Sequence, residues 1–138
     1  MKYFSIAEFL RSDAAEKYQV SNIPSDEELL EVLNNINALV NNVLDPLRAM
    51  IARPIIITSG YRSQRVNELV GGSKTSQHLS GKAADIHIQG YTPQQMDMVY
   101  RTIQMYYDFD QLIFYPSKNI IHVSWNGNKN RQESWVKA

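Results

Sequence analysis

Gln111-Leu-Ile-Phe-Tyr-Pro-Ser-Lys-Asn-Ile-Ile-His-Val-Ser-Trp125 holds two runs of β-branched and aromatic residues, Gln111 to Tyr115 and Ile120 to Trp125, around the turn-forming Pro116 to Asn119. Two such runs joined by a short polar connection read as a β-hairpin, and a hairpin demands antiparallel pairing. Upstream, Lys82 to Gln89 alternates, with Asp85, His87 and Gln89 on one face and Ala84, Ile86 and Ile88 on the other, the pattern of a half-buried strand. Pro54 to Thr58 is a β-branched run suited to a buried strand.

Helical segments surround these strands. Ser5 with Glu8 has the spacing of a capping box and starts a short helix at Ile6. Ser25 with Glu28 opens a longer one, in which Leu29, Val32, Leu33, Ile36, Leu39, Val40, Val43, Leu44 and Leu47 recur every three or four positions. Pro46 lacks an amide donor and predicts a kink or restart at Asp45-Pro46. A short helix is expected through Val70, and Thr92-Pro93 starts another whose face carries Met96, Val99, Tyr100, Ile103 and Tyr106. The tail beyond Asn126-Gly127 is polar and carries little signal. Helices mixed with antiparallel strands make the expected class α+β, a small antiparallel sheet packed by helices.

With 138 residues, no repeats and no linker-like tract, one domain over residues 1–138 is expected, large enough to fold without a metal staple. Fourteen Lys and Arg balance 14 Asp and Glu, so no excess charge favours nucleic acid or an anionic membrane. Cysteine is absent, which removes thiolate nucleophiles, disulfides and Cys-rich metal sites. Charge interrupts the apolar residues of Met1 to Arg11 before a signal-peptide core can form, so synthesis in the cytosol without a signal peptide is expected. No run reaches membrane-spanning length. A monomer is expected.

Two of the three histidines, His78 and His122, together with Asp85, are a ligand set for a catalytic zinc ion, which takes three nitrogen or oxygen donors and leaves a position open. Asp85 lies on a strand, His122 on another that could adjoin it, and Gly81 permits a sharp approach of the loop carrying His78. His87 shares the face of Asp85 and reads first as a polar side chain on that face, otherwise as a ligand or an orienting group. Arg62 follows a strand and a Gly-Tyr turn, a placement that aims it into a cleft, although an ion pair with Glu68 is the plainer reading. Ser76 and His78 stand too close on one loop for a serine triad, and no pattern selects two carboxylates for glycoside hydrolysis. Neither a Walker loop nor a dinucleotide glycine fingerprint is present.

Taken in order, Ser59-Gly-Tyr-Arg-Ser63, Ser76-Gln-His-Leu-Ser-Gly-Lys-Ala-Ala-Asp85 and Ile121-His-Val-Ser-Trp125 resemble the zinc D-Ala-D-Ala carboxypeptidases. Relatives of that family include phage endolysins, vancomycin-resistance dipeptidases and, at the level of fold, the hedgehog signalling domain. The resemblance spans about Ile55 to Trp125, and the composition of the N-terminal helices is compatible with the smaller, phage-type members. It implies Zn2+ as cofactor on His78, Asp85 and His122, with Arg62 and Ser76 in catalysis and Arg62, Ser76, Gln77 and Tyr115 against the substrate. The implied substrate is a peptidoglycan stem peptide. A cell-wall substrate without a signal peptide implies a phage or prophage protein.

The family's acidic general base lies three positions before the last histidine, and that position here is Asn119, whose amide takes no proton from water near neutral pH. Asp110, Asp108 and Glu133 are the candidate substitutes. The resemblance therefore implies a metallopeptidase acting on stem peptides, with a noncatalytic zinc-containing wall-binding module as the alternative. A partner-binding scaffold built on the helix from Ser25 to Met50 is a third reading, in which the histidines have no role.

Overall fold

The computed structural model describes Met1–Ala138. Short helices α1 (Ile6–Leu10) and α2 (Asp13–Tyr18) precede the long α3 (Asp26–Leu39), which continues through a π turn, Val40–Leu44, into α4 (Asp45–Ile51). Strand β1 (Ile55–Ser59), α5 (Gln64–Leu69), a 3₁₀ turn (Gln77–Ser80), β2 (Ala83–Ile88), α6 (Pro93–Tyr106), β3 (Gln111–Tyr115), β4 (Ile120–Ser124) and β5 (Glu133–Val136) follow. The class is α+β. The sheet order is β1-β2-β4-β3-β5, antiparallel throughout except for the β3–β5 pair.

The hairpin forms as the opening stretch requires, with Leu112 opposite Val123 and Tyr115 opposite Ile120. Alternation along β2 sends Ala84, Ile86 and Ile88 into the core and leaves Asp85 and His87 on the other face. Against the core face pack α3, the π turn, α4 and α6, through Ile36, Leu39, Val40, Leu44, Leu47, Met96 and Ile103, all fully buried. Truncating any one of the leucines or isoleucines to Ala would cost about 2–5 kcal/mol. Leu29, counted in the same stripe, stays exposed at the first turn of α3.

Pro46 acts through the backbone. It denies the carbonyl of Asn42 its helical donor, and the chain shifts to i→i+5 pairing, with the Asp45 amide donating to the Val40 carbonyl. The restart expected at Asp45-Pro46 is thus a π turn followed by a new α segment with proline in its first turn. A β-bulge lies between Ile57 and Ser59: Ile57 faces Ile86, Ser59 faces Asp85, and Thr58 is the extra residue.

Two elements depart from the sequence reading. The polar tail forms β5, so the sheet is mostly rather than wholly antiparallel. Its side chains stay largely exposed, and backbone bonds to β3 hold it, including Lys137 N–H to the Phe114 carbonyl at 2.8 Å. Helix α2 was also not anticipated; Ser12 caps it and only Ala15 is buried, leaving no apolar stripe to read.

Candidate metal centre

Asp85 on β2 and His122 on β4 are directly opposite in register on the face away from the helices. His78 reaches the same point from the 3₁₀ turn, whose end is made by Gly81 at φ +78. A Cβ at Gly81 would lie 2.9 Å from the Val32 carbonyl, so the turn approaches α3 as only glycine permits. Asn35 of α3 donates to the Ser80 carbonyl at 2.8 Å and fixes that approach.

One nitrogen of each imidazole and one Asp85 oxygen lie within 4.8 Å of one another. Asp85 Oδ1 is 3.2 Å from His78 Nε2 and 2.8 Å from His122 Nδ1, and the two rings meet edge to face with centroids 5.1 Å apart. A tetrahedral ion with bonds of about 2.1 Å separates its ligand atoms by roughly 3.4 Å. The spacing therefore suits such an ion after small adjustments.

The tautomer of His78 adds to the fit. Its Nδ1 lies 2.7 Å from the Gly60 carbonyl, which can only accept, so Nδ1 carries the proton and Nε2 presents a lone pair to a carboxylate oxygen. Two acceptors in that position call for a cation between them, a proton or a metal ion. The imidazole–carbonyl contact is also the outer support that metal-bound histidines characteristically have. Burial pushes the Asp85 carboxyl up, but its close contacts with His122 and His78 outweigh it and hold the group well below the usual carboxylate range.

Arg62 stands beside this cluster with its fork fully engaged. Nε donates to Ser59 Oγ at 3.1 Å, Nη1 to Asn67 Oδ1 at 3.3 Å and Nη2 to Asp85 Oδ2 at 3.4 Å. Burial lowers its pKa, Asp85 and Tyr115 oppose that shift, and a guanidinium remains charged in any case. Glu68, the plainer partner, pairs with Arg65 instead. The turn carrying Arg62 is fastened from several sides: its amide donates to the His78 carbonyl, buried Asn22 donates to the Tyr61 carbonyl and accepts from the Ser63 amide, and Gly60 lies against Phe9.

The cluster forms one end of a cleft of about 780 Å³, within the size range of small-ligand sites. Ser76, Gln77 and Tyr115 all line it. Ser76 Oγ accepts from the His78 amide at 3.2 Å and so caps the turn that presents the histidine. Gln77 gives its amide nitrogen to Asp110 at 2.7 Å, and its Oε1 is buried without a partner. Burial raises the Tyr115 phenol above its ordinary pKa, Asp85 adding to the effect and Arg62 opposing it.

His87 and Asn119 are not in the cluster. His87 Nδ1 lies 2.9 Å from the Asn119 carbonyl, tying β2 to the β3–β4 turn. Asn119 takes φ +55, donates to the Tyr91 carbonyl at 2.8 Å and does not line the cleft. Asp110 is fully buried and bound by Gln77 and three contacts from Arg131, which leaves it no freedom to act as a base. Asn67, Asn22 and the Gly60 carbonyl support the site without any motif that marks them for it.

The family model described as Peptidase M15 matches residues 2–124. The chain belongs to the M15 peptidase family. The M15 family is metal-dependent, and His78, Asp85 and His122 form a group that could hold a metal ion. A comparison with curated proteins gave no match. The M15 match ends at Ser124, so β5 and the residues leading to it lie outside it. No helix is long and apolar enough to cross a membrane.

Proposed function

We propose that this M15 protein is a zinc peptidase that hydrolyses peptidoglycan stem peptides, as a D-Ala-D-Ala carboxypeptidase or an endolysin-like endopeptidase of phage or prophage origin. The observation that carries the reading is the convergence of two imidazoles and a carboxylate at the end of a cleft, next to a guanidinium fixed by three acceptors. Two nitrogens and one oxygen suit zinc. Zinc held there would supply a Lewis acid for the scissile carbonyl and would lower the pKa of bound water toward about 7.

The remaining work falls to the chain. Arg62 binds a peptide carboxylate or the developing oxyanion through its fixed fork. Ser76 Oγ donates to the same end of the peptide. Tyr115, whose raised pKa keeps it protonated, donates a hydrogen bond to charge that builds up during attack. Gln77 shapes the floor between them.

The second reading, a noncatalytic zinc-containing wall-binding module, is favoured by one observation: Asp85 is the only carboxylate lining the cleft. Digestion of purified peptidoglycan with and without chelator, followed by mass spectrometry, separates the two. Trimmed stems that disappear with chelator support the peptidase. Stem peptides retained uncut by zinc-loaded protein support the binder, and a protein that takes up no stoichiometric zinc overturns both.

A further inference from the structure

The charge of the cleft is one-sided. Arg62, Lys118, Arg131 and Lys137 line it, against Asp85 alone. Two of these cations are committed elsewhere: Arg62 to Asp85, and Arg131 to Asp110 and Glu133. Lys118 and Lys137 are exposed, and neither takes part in an ion pair with a carboxylate. Lys118 Nζ lies over the Tyr115 ring, 5.5 Å from its centroid, which keeps it above the cleft-facing side of β3.

These lysines come together through the topology. Because β5 runs parallel to β3, its end, held by the Lys137 amide on the Phe114 carbonyl, lies beside Tyr115 and the turn that carries Lys118. The buried Asp110 keeps β5 in place. It binds the Arg131 side chain and amide, and its Oδ2 accepts from Gln77, the residue preceding His78. The strand beyond the family match is thereby linked to the loop of the metal centre.

Sheet order sets the scale. From Asp85 on β2 the cleft crosses β4 to β3 and then β5, two or three steps of about 4.8 Å, or roughly 10–14 Å. An extended peptide covers that in about three or four residues at roughly 3.4 Å each. Arg62 serves one carboxylate near the metal; the unpaired ammonium groups stand where a second would fall.

Resting on the peptidase reading above, we propose that Lys118 and Lys137 form a subsite for a second carboxylate of the peptide, about three or four residues from the group bound by Arg62. The C-terminal strand then selects acidic stem peptides over amidated ones.

The test uses zinc-loaded protein of the full chain and two peptides, L-alanyl-γ-D-glutamyl-L-lysyl-D-alanyl-D-alanine and the same peptide with its free glutamyl carboxylate converted to the amide. Calorimetric affinities are measured for wild type, Lys118→Gln, Lys137→Gln and the double variant, and cleavage is followed in parallel. Wild type should favour the carboxylate peptide by roughly three- to tenfold at low salt, the sum of two exposed ion pairs, and the preference should shrink as salt rises. In the double variant the ratio should fall to about one. Because it compares two ligands on the same protein, partial misfolding does not alter the ratio. A wild type without preference, or a double variant that keeps it, overturns the subsite. Preference without cleavage leaves the subsite standing and removes the peptidase. Equal binding and cleavage of both peptides does the reverse, and binding of neither removes both.

Discussion

The two sides of the cleft use their charged groups differently. Around His78, Asp85, His122 and Arg62 every polar atom that matters is held by a neighbour: a carbonyl behind His78, two imidazoles on Asp85, three acceptors on Arg62. Around Lys118 and Lys137 the exposed ammonium groups have no carboxylate partner; Lys118 rests over the Tyr115 ring and Lys137 is anchored through its backbone amide. Fixed donors and acceptors suit charge that appears at one place during a reaction, since no reorganisation is needed as it forms. Loose ones suit a group that is merely held, where an exposed pair adds little energy but biases the choice of ligand.

That contrast is broken most directly at the rigid side. Asp85→Ala and His122→Ala should each reduce zinc content from about one ion per chain to under roughly a tenth, measured by elemental analysis, and peptide cleavage on the order of a thousandfold, the equivalent of the several kcal/mol a metal contributes. Arg62→Lys keeps the charge and loses the fork. It should retain zinc but lower kcat/KM by roughly a hundredfold, because an ammonium cannot span Ser59, Asn67 and Asp85 together. A lysine variant with near-normal rates would mean that Arg62 acts only as a charge, and the two sides would then be alike.

Gly81→Ala tests the support beneath His78. The left-handed backbone and the nearby Val32 carbonyl should together cost about 1–3 kcal/mol in urea denaturation, with zinc affinity reduced in the protein that remains folded. The smallest effect is expected at the link between the sides. Hydrogen bonds from Arg131, partly opposed by burial, hold the Asp110 carboxyl below its usual range. Its contribution to stability is therefore present above about pH 4, the ordinary carboxylate value, and is lost as pH falls through the lowered one. The urea midpoint of wild type should drop between pH 6 and pH 3 by more than that of Asp110→Asn.

What the sequence made legible follows the same divide. Asp85 could be assigned to a strand face because alternation has a period of two, and His122 because its hairpin carries β-branched and aromatic residues on both arms. The helix from Asp26 onward was readable from its apolar stripe, and the break near Pro46 from a missing donor. β5 was not readable, since Glu133-Ser-Trp-Val136 has no buried alternation and depends on backbone bonds and on an ion pair 21 residues apart in the chain. The supports of Arg62 were hidden for a similar reason: Asn67 and Asn22 look like ordinary polar loop or helix residues until the fold buries them. Asn119 stood out as a missing acid, yet its left-handed backbone and its bond to Tyr91 give that position a job in the turn.

The doubled residue at Thr58 gives chain length a meaning in this molecule. Ile55 and Ile57 point into the core before it, and strict alternation would send Ser59 inward after them. The added residue turns Ser59 outward to meet Asp85 and Arg62. Pairing Thr58 itself with Asp85, without the bulge, would leave Ile55 and Ile57 where they are while turning Ser59 inward, out of reach of the guanidinium. Deleting the extra residue would instead straighten the strand and keep Ser59 beside Asp85, so a descendant of this chain could shed Thr58 without giving up that anchor.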